Sequence, residues 1–474
     1  MLQKISLNPP RNSEISSITP KKAFAKTNKQ NATAPFLSQN LPIFLGQNKI
    51  AKINTSLNNK QDKEKYEYLL NFLKNTQPSP LSGGLKPREQ LEHLLKSGKL
   101  LNRNSNDNSS VLDNLYEIAS QKRAFDLDKK VLILNVLDNI SSPAIITQTF
   151  GDIPKEEKKE ILDGLSKSDP ASQNPKTMDV EKSGVCAAAS CEVNLADKYP
   201  AEYARWANKL SSEDMKVVSS INLSSLSKNP LEAVAILELM ESKTNGFTFD
   251  KVNVEITADK NAYLRAKNQT KNWDPGERNV ADVLIQSAIM QIGSQNTYNS
   301  LTDLRAGSLN SSPQGLIEVE KTYVESIMKN KEITSLVYQK IDDDNNLVGY
   351  NCSFDKIKKQ IKDTIDSGDD VIIGCVDTNE SSGRSQLPNY SPEKDGLPNK
   401  IINGHEITIV DYKTDPKGNL SFVCVDTDDN SPKYVVYSAD WLIPRIHHAG
   451  YPAAIVEEDA QEMLKNEMAQ ALAG

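Results

Sequence analysis

The sequence predicts an α+β protein, on three observations. Apolar stripes at helical spacing fill the region from about 61 to 166, an Ala-rich helical run opens at Cys186, and the C-terminal third alternates as strands separated by polar turns. With 474 residues, 38% hydrophobic and 25% charged, the chain has the balance of a soluble protein, long enough for about two to four domains. The net charge of −7 hides an asymmetry: residues 1–60 hold nine Lys or Arg and one acid, so the remainder is strongly acidic. Phosphate binding needs a clustered basic surface, and a mainly acidic chain argues against nucleic acid as its partner. Five cysteines at irregular spacing do not make a disulfide framework and fit a reducing compartment. No signal-peptide h-region stands at the N-terminus and no run approaches the ~20 apolar residues of a membrane span. The expectation is a soluble, cytoplasmic protein, with export by another route left open.

Residues 1–60 mix Asn, Ser, Thr, Lys and Pro with scattered apolar positions, too few to offset ordering entropy, and read as a disordered basic arm. Residues 61–166 read as a helical domain. Its stripes are Tyr66, Leu69 and Leu70; Leu91, Leu94 and Leu95; Leu112, Leu115 and Ile118; and Leu132 with Val136 and Leu137. Residues 167–182, with Pro170 and Pro175, read as a linker. A second helix follows the Cys186 helix over Tyr199 to Leu210. Then come a strand over 247–256, an apolar helix from Asp282 to Ile292, another helix from Gly315 to Met328, and a strand from Thr334. Phe354, Ile357, Ile361 and Ile365 make an amphipathic helix that stops at Gly368 before the strand Val371 to Ile373. His405 opens the strand of NGHEITIVDY, and a turn at Asp415 to Asn419 returns the chain through Leu420 to Val425 as a hairpin. Residues 453–474 read as a C-terminal helix.

Cys186 follows a Ser-Gly turn at the first turn of its helix, where unsatisfied N–H groups favour a thiolate; a small buried cysteine packed in a helix is the other reading of that stretch. Asp426 stands 21 positions after His405, at the end of the hairpin's second strand. A carboxylate there can fix one imidazole nitrogen and leave the other to take a proton from a thiol, so Cys186, His405 and Asp426 can fill the three roles of a nucleophile triad. The chain resembles the papain-like cysteine peptidases in the broad sense that includes the double-glycine leader peptidase-like domains of bacteria. The resemblance rests on GVCAAAS, on FDKIKKQIKDTIDSGDDVIIG, and on GHEITIVDY followed by FVCVDTDD, in the order Cys, His, acid.

That resemblance implies a papain-like catalytic domain over 183–452, with a helical insertion between about 200 and 340. It implies a thiol hydrolase acting on peptide or isopeptide bonds, with a protein or peptide as its partner. The helical region upstream would then stand where such peptidases carry a cleft-covering prodomain. The family's glutamine, about six residues before the cysteine and donating to the oxyanion, is missing: position 180 is Val. Gln173 or Asn174 could fold back in its place. Transglutaminase-type or deamidase-type acyl transfer by the same triad, and a binding protein that keeps the fold with a dead site, stay open beside hydrolysis.

No cofactor is implied, since the sequence has no phosphate-cradling Gly loop, dinucleotide fingerprint or paired-cysteine zinc spacing. No metal site is assigned either. His447-His448 with Asp440 could form a metal or base pair but lacks a second ligand pair at helical or ribbon spacing. Asp426, Asp428 and Asp429 do not make an EF-hand, because Ser431 and Tyr437 stand where a Gly and a Glu are needed. Cys191, Cys352, Cys375 and Cys424 lie in or beside apolar runs and read as core.

Overall fold

The computed structural model describes residues 55–149, 184–310, 315–378, 399–428, 434–457 and 459–460. The arm and linker expected over 1–60 and 167–182 lie largely outside these residues, as does most of the expected C-terminal helix.

Four helices come first: α1 (Lys60–Phe72), α2 (Pro87–Lys96), α3 (Val111–Ser120) and α4 (Lys129–Ser141). Their starts follow local chemistry. Ser110 and Asp113 form a reciprocal capping box on α3, and Asp128 accepts from the N–H groups of Lys130 and Val131 at α4. The Cys186 helix is α5 (Cys186–Lys198), and Pro200 at a first-turn position opens α6 (Pro200–Ser211). A small antiparallel sheet follows, built from β1 (Val217–Asn222), β2 (Lys243–Asn245) and β3 (Lys251–Ile256) in the order β1-β3-β2, with α7 (Pro230–Leu239) between its first two strands. The segment after α6, expected as a helical insertion, therefore also contains strands. Its last strand begins later than the alternation from Phe247 suggests, because Thr248 folds back to pair with the carbonyl of Lys251 and leaves Phe247 and Phe249 exposed.

Next come α8 (Lys260–Asn272), α9 (Val280–Gly293) and α10 (Glu318–Lys329). Every residue of α9 is buried, as its nearly unbroken apolar run requires. The remaining strands are β4 (Ile333–Val337), β5 (Gln339–Ile341), β6 (Asn346–Tyr350), β7 (Val371–Thr378), β8 (Asn399–Thr414), β9 (Leu420–Val425), β10 (Tyr434–Ser438) and β11 (Ile446–Pro452), with α11 (Phe354–Asp366) before β7 and α12 (Ala439–Leu442) after β10. They form an antiparallel sheet in the order β10-β9-β8-β7-β11-β4, joined at β8 by the β5-β6 hairpin. Gly368, in the left-handed region at φ 94°, ends α11 where the sequence reading put its stop.

Successive residues of β7 enter different cores. Val371 and Ile373 join Ile357 and Ile361 of α11, while Ile372 joins the larger core made by the helices. That larger core is continuous from Leu69 and Leu115 through Ala188 and Trp206 to Ile289. Polar contacts follow the same route. Arg123 donates to the carbonyl and the side-chain oxygen of Asn208, and Asn208 Nδ2 donates to Asn114 at 3.0 Å. The helices of the 61–149 region thus share one core with the helix that carries Cys186.

Candidate active site

The geometry of the site starts from the contact between α5 and β8. Small side chains at Ala187, Ala188 and Ala189 let the helix lie close to the strand. Ser190 Oγ donates to the carbonyl of Glu406, and Thr408 Oγ1 donates to the carbonyl of Ser190, both at 3.2 Å. These two bonds fix the helix against β8 one turn beyond Cys186. Residues 405 and 375 are cross-strand partners of β8 and β7.

His405 lies between the two other residues of the expected triad. Its Nε2 is 2.7 Å from Asp426 Oδ1, and its ring is also hydrogen-bonded to Cys186. The Asp426 contact commits Nε2 and leaves Nδ1 for the sulfur. Asp426 Oδ1 also accepts the backbone N–H of Asp428 at 3.1 Å, which holds the carboxylate in place, and Asp426 is only 9% exposed. Burial pulls the imidazole pKa of His405 down, but its bonds to Asp426 and Cys186 outweigh burial and raise it to about 10. The ring is therefore an imidazolium at neutral pH, with its charge facing a half-buried sulfur. Cys191 and Cys424 are fully buried and burial pushes their thiols well above the usual range, whereas Cys352 and Cys375 are half-buried beside the second core.

Two further residues reach this region through the fold alone. The N–H of Gln148 donates to the carbonyl of Thr427 at 3.0 Å, and Thr147 Oγ1 donates to the same carbonyl at 3.0 Å. The chain leaving α4 is thereby tied to the residue after Asp426. No local motif announces a contact between positions 280 residues apart. Gln173 and Asn174, the amides considered from sequence, lie outside the described residues.

The His447-His448 pair is placed differently from its sequence reading. Asp440 is 80% exposed at its side chain and lies 3.5 Å from Lys358, so it is not the partner of the pair. Glu318, at the start of α10, takes that place: its Oε1 lies 3.3 Å from His447 Nδ1 and 3.4 Å from His448 Nδ1. Among the described residues this is the group of His and carboxylate side chains that could hold a metal ion. The acidic run at Asp426 serves His405 instead, and Asp342 caps the turn before β6 by accepting from Asn346.

Among the described residues, no helix is long and apolar enough to cross a membrane. Compared with known protein families and with curated proteins, the chain matches none.

Proposed function

We propose that the chain is a thiol hydrolase of the cysteine-peptidase type, with Cys186 as nucleophile, His405 as acid and base, and Asp426 as the group that orients the imidazole. One observation carries this reading: the His405 ring lies bonded at once to a buried carboxylate and to a cysteine at a helix N-terminus. In the first half-reaction the Cys186 sulfur attacks the substrate carbonyl carbon. The proton on His405 passes to the leaving amine nitrogen as the C–N bond breaks, leaving a thioester on Cys186. In the second, His405 takes one proton from water as its oxygen attacks the thioester, and the sulfur leaves as thiolate, releasing a carboxylic acid that gives its remaining proton to solvent. The N–H of Cys186, free of an intrahelical partner at the first turn, is a donor for the oxyanion.

The test is selective alkylation of the folded protein. Iodoacetamide at neutral pH is expected to label Cys186 before the half-buried Cys352 and Cys375, as read by peptide mass spectrometry. Cys186→Ala is expected to abolish cleavage of a peptide library while leaving the thermal transition unchanged. Labelling of Cys186 no faster than of Cys352 would sink the proposal.

A further inference from the structure

A second group of donor atoms, from α10 and β11, converges on the side of the His448 ring opposite Glu406, the residue after His405. In an undisturbed strand, His447 and His448 would project to opposite faces. The pairing of β11 with β7 shifts register between Ile446 and His448, leaving His447 as an extra residue. Such a bulge re-aims a side chain. Here it turns both rings the same way, so that the two Nδ1 atoms are 2.9 Å apart. With Glu318 Oε1 at 3.3 and 3.4 Å, these atoms form a nearly equilateral triangle of electron-pair donors. A circle through the three has a radius of about 1.9 Å, so a point ~2.0–2.1 Å from all of them, the bond length of zinc to nitrogen or carboxylate oxygen, lies just off their plane.

The surroundings are built for this arrangement. Gly374 lies across from His448 on the neighbouring strand, and a Cβ there would come within 2.1 Å of the His448 ring. The missing side chain lets the ring cross β7 toward β8, where His448 Nε2 lies 2.9 Å from Glu406 Oε1. A carboxylate this close to the distal nitrogen favours a proton there, the tautomer whose Nδ1 can ligate. Glu406 is itself held by Lys321 Nζ at 2.8 Å, so its position is set from α10 as well.

We infer that Glu318, His447 and His448 form a binding site for one divalent transition-metal ion of the zinc class, with three protein ligands and a coordination position open toward solvent. The side chains of Glu318 and His447 are 32% and 21% exposed, which gives the ion an entry path and the fourth position a water. Nitrogen and carboxylate ligands without thiolate select zinc, cobalt or nickel over calcium and magnesium. The bound ion would clamp the first turn of α10 to β11.

The test uses the full chain without a polyhistidine tag and with Cys186→Ser, so that a thiolate at the other site cannot supply the signal. Titration with Co2+ is expected to give visible d–d bands of a tetrahedral or five-coordinate ion saturating at one equivalent, displaced by Zn2+. Glu318→Gln and His447→Gln, both at partly exposed positions, are each expected to weaken binding at least tenfold and to cancel the rise in melting temperature produced by Zn2+. Absence of cobalt bands at one equivalent, or unchanged affinity in both variants, would overturn the inference. So would binding lost by Cys186→Ser alone, since that would assign the metal to the thiol site.

Discussion

At the scale of single residues, the consequence most open to measurement is the proton on His405. Its pKa is raised to about 10 in the fold against an ordinary value near 6.5. The stabilisation this gives is fully present below about pH 6.5 and is lost as pH rises through about 10. If His405 gives its proton to the leaving group, the alkaline limb of the activity profile falls in the same place. Asp426→Asn removes the charge that holds the proton while keeping the side chain's shape. It is expected to move that limb to lower pH and to reduce turnover less than His405→Ala, whose loss of acid and base should cost about 10²–10⁴-fold. An alkaline limb unmoved by Asp426→Asn would show that the carboxylate does not govern the imidazole. Cys186, His405 and Asp426 were legible as candidates because each had a local signature: a cysteine opening a helix, a histidine opening a strand, and an acid at a hairpin end. Glu318 was not legible beside His447, because 129 residues separate them and the contact depends on a bulge that no residue type announces.

Among elements, α5 and α9 meet through a buried acid pair. Glu192 and Asp282 are hydrogen-bonded to each other, with Gln286 donating to Glu192 at 2.9 Å and Asn139 donating to Asp282 at 2.6 Å. Burial raises both carboxyls, Glu192 well above its usual value and Asp282 to about 7, so the pair shares a proton at neutral pH. The sign follows from the shift. The fold holds protons that the unfolded chain releases near pH 4, so this contact is strongest in acid and weakens as pH rises through about 7. Glu192→Gln keeps the donors and acceptors in place without the second charge. It is expected to flatten the loss of stability between about pH 4 and 7 that the parent chain should show in urea melts, whereas an equal pH slope in both proteins would assign the dependence to other groups. The sequence showed α9 as an apolar helix carrying Gln286 and Gln291. It could not show that Asp282 faces an acid on α5, since helical periodicity gives the buried face and not its partner.

For the whole molecule, the continuous core changes what removal of the N-terminal helices would do. Leu112, Leu115 and Ile118 of α3 lie in the same buried cluster as Tyr203 and Trp206 of α6, and Gln148 is bonded beside Asp426. A shortened chain beginning at Lys167 is therefore expected to lose its cooperative thermal transition and to expose apolar surface to a hydrophobic dye, rather than to label faster at Cys186. A folded, faster-labelling fragment would instead favour a cleft-covering role for the helical region. From sequence the region read as self-contained because its stripes pack well among themselves; their second set of contacts, with helices a hundred residues later, leaves no periodic trace. The adjacency of His405 and Glu406 carries a last consequence, for how this chain can change. One strand supplies consecutive residues to two different chemistries, and each depends on the same count along β8. A single residue inserted between His405 and the turn at Asp415 would bring Glu406 to the place of the imidazole and carry His405 one position farther, onto the opposite face. Both groupings would fail in one event, so β8 can tolerate substitutions on its outer positions but not a change of length.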